Sequence, residues 1–477
     1  MTTHNASRYF LYWLIWAVLI VYGSLLPFEL RPHSLAEAIE KFRHIPYLDL
    51  GVVSRADWIA NILLYIPLAY LGVTWLSRLT WLPRSLAMLF TAALGVALAL
   101  GVEFTQIFFA PRTVSLNDLI AESIGTALGL IVWSASHSRL AGLATAVLRP
   151  GPGALTAGLT LYALAYLGLA LFPYDFMVSL ADLQWKLLEG RYGWGLEHCD
   201  ALLHCTSQWL AETLAALPLG LLLVRLMPHR AGRHGGNLGI AVAVGACLEA
   251  AQFLIASGVT TVNGALSKAV GIGLGAWLRD IPSPQLAQRH AHWLRPALLL
   301  ALIPYLVLAA LLNGWSGIEW GNWETLRSAL DKQRYLPFYY HYFSTETQAV
   351  ASLLAQSAIY LPLGVGFWLW HASGATPLRR PPVFGLLLSS AAIACVIEAG
   401  KLFIPRTHPD PTNLLIGLVA AWLGQRLCQW LAACARAPAP APAERAPVVR
   451  QFPRKALLGA GGVMLVMGAL GLTLMQQ

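Results

Sequence analysis

Long apolar stretches broken by short polar ones dominate the chain, and a helix needs about 20 apolar residues to cross a bilayer. On that measure thirteen spans are expected, at about 9–27, 57–77, 85–109, 118–136, 154–173, 208–227, 238–257, 264–278, 296–313, 349–371, 384–404, 413–433 and 456–474. The stretch 264–278 is short. The first span follows Arg8 like a signal sequence, but it lacks a small-residue cleavage site and is long enough to remain as an anchor. The expected fold class is therefore all-α: a polytopic transmembrane helical bundle.

Polar residues between the spans set an orientation. The N-terminus and every second loop hold 19 Lys and Arg against two acids, Asp280 and Glu444. The opposite loops and span ends hold the other 13 basic residues and 21 acids. Excess Lys and Arg marks the cytoplasmic side, so the N-terminus is expected inside and the acidic loops outside. Composition agrees: 57% of residues are hydrophobic, only 12% are charged, and mean hydropathy is +0.59. Soluble domains carry about 25% charged residues, which excludes an ordinary cytosolic enzyme. The net charge of +9 lies between apolar runs rather than on one basic face, so nucleic acid is not an expected partner.

One pattern repeats three times. A Pro-Leu-Gly/Ala step falls at Pro67, Pro218 and Pro362, and a buried glutamate with an amide or amine at i+3 falls at Glu103/Gln106, Glu249/Gln252 and Glu398/Lys401. A small-residue helix opening follows at Gly125, Gly271 and Gly417. Surface segments repeat as well: SLAEAIEKFR ending at Arg43, SLADLQWKLLEGR at Arg191 and ETLRSALDKQR at Arg334. In the first of these, Leu35, Ile39 and Phe42 share one helical face, which predicts helices lying on the outer surface. Four spans per unit return the chain to its starting side, so the units are parallel repeats. The expected boundaries are 1–150, 151–290 (degenerate) and 291–434, then an Ala/Pro-rich cytoplasmic linker at 435–455 and a C-terminal transmembrane helix at 456–477.

A carboxylate inside a span costs about 2.5 to 3.5 kcal/mol on insertion scales, which makes it a functional candidate with a partner to be named. Glu103 lies seven residues before Pro111, about 10 Å below the end of its helix. Asp57 and Asn61 open one span, Arg112 lies in the loop and Asp118 opens the next span. Three distant segments thus bring Asp57, Asn61, Glu103, Gln106, Arg112 and Asp118 to one outer-leaflet layer. An arginine among carboxylates can keep one ionised while another carries a proton. The alternative is a hydrogen-bonded cluster that only holds helices together. The proline step reads as a packing kink, and the pairs Gly125/Gly129 and Gly271/Gly275 as helix contacts.

The order Asp57-xxx-Asn61, Pro67-Leu68, Glu103-xx-Gln106, Arg112, Asp118, Gly125 resembles the VanZ-like integral membrane family, which takes its name from a teicoplanin-resistance protein. The resemblance extends over three units, from about residue 9 to residue 433. In the family pattern a second acid follows the arginine by three residues and an asparagine follows the aspartate by four; this chain has Ser115 and Glu122 there. The third unit keeps Gln356, Pro362, Gly364, Glu398, Lys401, Arg406, Asp410, Asn413 and Gly417, with Ser352 and Gln356 for the aspartate and asparagine. The second has Glu212 at the asparagine position, Asn263 and Gly264 at the Asn117/Asp118 positions, and no arginine between Glu249 and Gly271.

Catalytic candidates are therefore Glu103, Arg112, Asp118 and Asp57. Substrate-binding candidates are Asn61, Gln106, Glu398, Lys401, Arg406, Asp410 and Asn413, and the second unit reads as structural. The resemblance implies the bacterial cell envelope, glycopeptide resistance, and the handling of surface polysaccharide or wall precursors, but no catalytic mechanism, so whether the protein is an enzyme stays open. No cofactor is expected. Expected partners are membrane lipids, a lipid-linked glycan or cell-wall precursor, and polysaccharide assembly proteins. Three functions compete: an envelope protein that binds or modifies a glycoconjugate, a transporter or flippase, and a non-catalytic scaffold. The near absence of ionisable residues from the inner halves of the spans argues against transport.

Two further stretches draw attention. EHCDALLHC offers Glu197, His198, Cys199, Asp200, His204 and Cys205, read as a metal site, a disulfide or free thiols. YLPFYYHYF, from Tyr335 to Phe343, reads as an interfacial aromatic belt or a platform for a sugar.

Overall fold

A computed structural model describes residues 3–48, 52–194, 202–227, 234–278, 290–315, 320–374, 382–405 and 407–436. The linker beyond Arg436 and the expected last span lie outside these residues. By length and composition, eleven of the described helices can cross a membrane. The stretch expected at 264–278 is a helix of 17 residues, Val262–Leu278, one short of that set.

The chain divides into two compact units. The first contains residues 1–142, 172–184 and 255–257. Its helices are α1 (Thr3–Leu25), α2 (Leu35–Arg43), α3 (Val52–Leu76), α4 (Arg84–Gln106) and α5 (Leu116–Leu148), the last continuing into the second unit. α2 is the predicted surface helix. Ser34 and Glu37 close a reciprocal capping box at its start, and Phe42 meets Phe104 of α4 edge-on. A two-residue antiparallel ladder, β1 (Glu29–Leu30) with β2 (Phe109–Ala110), ties the end of α1 to the end of α4.

The second unit contains α6 (Pro152–Ala170), α8 (Leu202–Leu226), α9 (His234–Phe253), α10 (Val262–Leu278), α11 (Ala291–Ala310), α12 (Trp323–Lys332), α13 (Glu346–Ala372), α14 (Val383–Lys401) and α15 (Pro411–Arg436). The surface helix α7 (Leu180–Leu188) is shared between the units. A parallel two-residue ladder pairs β3 (Tyr192–Gly193) with β4 (Thr260–Thr261). After α11 the chain unwinds over Leu311–Trp315, where Gly314 takes φ +92°, a value that favours glycine. Trp315 then reaches the carbonyl of Ile397 at 3.1 Å, and its ring lies where a side chain at Gly400 would stand. Within this unit Trp430 of α15 packs on Gly158 and donates to the carbonyl of Val147 at 2.9 Å.

A proline inside a helix removes an amide donor and opens the preceding turn. An aromatic donor serves this turn at each of the three repeated proline steps. Trp16 donates to the carbonyl of Leu64 (2.8 Å), Tyr162 to Ala215 (2.5 Å) and Tyr305 to Ile359 (3.1 Å). Each accepting carbonyl stands three residues before Pro67, Pro218 or Pro362.

Glycines bring backbones together next to these kinks. A side chain at Gly125 or Gly271 would strike the carbonyl of Ile62 or Thr213, and one at Gly129, Gly275 or Gly424 the carbonyl before the proline, on Ile66, Leu217 or Leu361. These contacts adjust the register expected for the third stretch. Gly424 takes the place of Gly129, whereas Gly417 lies against Tyr360.

One link within the first unit joins segments far apart in sequence. Arg55 grips Asp182 with two hydrogen bonds, of 2.9 and 3.0 Å, and the Val178 amide adds a third at 2.9 Å. The guanidinium holds the Asp182 carboxyl down to about 2. A carboxyl so depressed stabilises the fold above the unfolded value near 4, and that contribution is lost as pH falls toward 2. Thermal unfolding of the purified full chain is expected to drop over this interval, and the drop is expected to be smaller in Asp182→Asn. An identical acid limb in both proteins would refute it.

Candidate functional site

In the first unit the polar layer is built by three helices and one loop. Asp118, in the first turn of α5, accepts Asn61 of α3 at 2.8 Å and the hydroxyl of Ser115 at 2.7 Å. Ser115 also receives the Asp118 amide, so it caps the helix it precedes. Asn117 holds both the amide and the carbonyl of Leu48, and Trp58 bonds the Asn117 carbonyl at 3.0 Å. Asp57, one turn before Asn61, is exposed and faces Asp118 as a like charge through space.

Glu103 sits deeper on α4 and is only 2% exposed. Gln106, one turn later, donates to the Ser24 carbonyl at 3.0 Å and so fastens α4 to α1. Arg112 has a role the sequence did not suggest. Its guanidinium donates to the carbonyls of Leu26 (2.7 Å) and Gly23 (2.5 Å), stitching the loop after α4 to the end of α1. It acts on Glu103 and Asp118 as a positive charge through space.

The surroundings of the three glutamates separate the sites. Glu249 receives the backbone amide of Thr261 at 3.2 Å and the ammonium of Lys268, itself buried on α10. Glu398 receives the backbone amide of Asp410 at 2.8 Å, Lys401 at 2.7 Å and Asn413 at 2.9 Å. Each amide stands twelve residues after its glutamate, and Ser115 supplies the matching one to Glu103. There the likeness ends. Oε2 of Glu103 and Oε2 of Glu122 are both buried without a hydrogen-bond partner. Glu122 occupies on α5 the place that Lys268 holds on α10: each stands nineteen residues after its glutamate, and three before Gly125 or Gly271. Beside Glu122 stands Tyr65, whose hydroxyl faces the Glu122 carboxyl.

Among the remaining candidates, Gln356 bonds Asn313 at 2.9 Å, and Asp410 meets His341 at 3.5 Å. Glu212 accepts Ser267 at 2.6 Å. Arg406 lies outside the described residues, as do Glu197, His198, Cys199 and Asp200. Cys205 is disulfide-bonded. In the aromatic stretch, Tyr340 stacks on His408 with ring centres 5.6 Å apart. Among the described residues no three His, Cys, Asp or Glu side chains converge to hold a metal ion.

The residues missed by sequence reading are Lys268 and Glu122 as one exchanged position. A lone lysine inside the apolar run of α10 was the available signal. No curated protein and no solved structure matches the chain. Over residues 9–137, the segment that holds Glu103, Asp118 and Glu122, the chain matches the VanZ/LLP1 family model, and it thus carries a VanZ-like domain within a multi-pass, all-helical membrane protein.

Proposed function

We propose that this protein serves the bacterial cell envelope by binding or modifying a lipid-linked or wall glycoconjugate, with the first-unit polar layer as its site. The observation that carries this reading is the contrast between Glu103 and its two counterparts. Glu249 and Glu398 are neutralised by Lys268 and Lys401, whereas Glu103 and Glu122 keep buried acceptor oxygens without donors. Leaving buried acceptors unmatched costs stability, of order 1 to 3 kcal/mol for each group. Such a cost is tolerated where a ligand brings the donors, and a sugar presents many hydroxyls.

The same reading makes the chain three tandem units, 1–150, 151–290 and 291–434, followed by the linker and the last helix. Support for it comes from the recurring aromatic-to-carbonyl bonds at the prolines and the recurring amide at each glutamate. The excess of Lys and Arg in alternate loops supports an inward N-terminus and an outward layer in the cytoplasmic membrane. Polysaccharide assembly proteins would be its neighbours there.

A strain lacking the protein, profiled for lipids and glycans, tests the proposal. Wild type is expected to restore the altered species, and Glu103→Gln at equal membrane abundance is expected to leave them at the deletion level. Full restoration by Glu103→Gln would remove the site assignment.

A further inference from the structure

Beside the polar layer of the first unit lies a cavity of about 350 Å³. Its lining includes Arg31, His33, Lys41, His44 and Arg112, with Ile107 among its apolar walls. Five cationic or protonatable side chains from β1's flank, α2 and the loop after α4 thus converge on one space. No carboxylate lines it. The two acids of α2 are turned to the imidazoles instead, Glu37 to Nδ1 of His33 at 3.8 Å and Glu40 to Nδ1 of His44 at 3.3 Å. On its other side His33 presents Nε2 to the Lys41 ammonium at 3.1 Å. There the imidazole accepts from the ammonium, and the cations of Arg31, Lys41 and Arg112, with no carboxylate in the lining, are left to attract an anion.

We propose that this cavity binds the phosphate headgroup of a membrane-anchored lipid. Arg and Lys donors match phosphate oxygens, and the planar guanidinium does so in a paired geometry. The volume suits a headgroup rather than a whole glycolipid. A lipid source is favoured over a soluble one because apolar side chains surround the same segment: Leu35, Ile39, Tyr47 and Leu48 are all exposed, Leu35 by 63%. On a surface helix such a face lies among acyl chains. The inference gives the glycoconjugate reading its lipid anchor, and rests on that reading for the ligand's identity but not for the pocket.

The full chain in detergent micelles, examined by native mass spectrometry, tests it with three probes: dioleoyl phosphatidate, dioleoylglycerol and inorganic diphosphate. Phosphatidate is expected to bind at least about tenfold more tightly than the glycerolipid with the same chains, since charge-assisted hydrogen bonds contribute that much. Arg31→Ala/Lys41→Ala is expected to abolish the difference, and Arg31→Lys to keep most of it. Both side chains are exposed, so an unchanged melting temperature shows that the fold is intact. Equal binding of the two lipids, or an unaltered preference in the double variant, overturns the site. Tight binding of inorganic diphosphate with none of phosphatidate overturns the lipid source. Glu103→Gln is expected to keep the phosphatidate preference, so failure at the polar layer and failure at this cavity are read separately.

Discussion

Lys268→Met is expected to destabilise the protein by about 3 to 5 kcal/mol, because it strands a buried carboxylate. Glu249 and Lys268 are 8% and 7% exposed, and the lysine also comes within 3.5 Å of Gln252 Oε1 and the Gly264 carbonyl. With the ammonium removed, Glu249 keeps only the Thr261 amide. The pair lies between α9 and α10 with both side chains buried, so the stranded carboxylate is poorly hydrated. Glu249→Gln/Lys268→Met removes both charges and is expected to recover most of the loss, as replacing whole buried ion pairs often does. Chemical unfolding of the purified full chain, arranged as a double-mutant cycle, gives the coupling. Coupling near zero would show that the pair does not act as a unit. Function is expected to survive in the double variant, because this pair neutralises rather than binds.

The helices themselves were legible in the sequence, and so were the surface helices α2, α7 and α12. Their signals are local: apolar run length for the spans, and helical spacing on one face for the others. Short ladders such as β1–β2 were not, since two residues leave no periodicity to read. The candidate site was legible by residue and not by partner. Glu398 and Lys401 share a helical face at i and i+3, so their pairing could be read directly. Lys268 meets Glu249 across two helices, nineteen positions away, and no spacing rule predicts that. Arg112 shows the same limit: the sequence put it among carboxylates, whereas its donors go to the carbonyls left open at the end of α1. The shift at Gly417 has another cause. Glycine periods align helices by composition, but the carbonyl each glycine meets is fixed by packing, and Gly424 rather than Gly417 meets the one before Pro362.

Glu122→Lys is expected to raise stability while abolishing function. Position 122 on α5 stands three residues before Gly125, as Lys268 on α10 stands three before Gly271, and both glycines pack on the kinked helix of their bundle. A lysine there faces Glu103 as Lys268 faces Glu249, and supplies the donor that Glu103 Oε2 lacks. Two buried carboxyl groups become one ion pair, and the unmatched oxygen of Glu122 is removed as well. The gain is about 1 to 3 kcal/mol, the ordinary cost of a buried unsatisfied group. A merely structural layer would keep its function after such a repair. A ligand site would lose it, because the acceptors reserved for ligand hydroxyls are now occupied from within. Membrane abundance and melting temperature at or above wild type, with lipid and glycan profiles at the deletion level, is therefore the expected pair of readings. Retained function together with raised stability would make the first-unit layer a packing element like the other two, and a loss of both would mean that the ammonium does not reach Glu103.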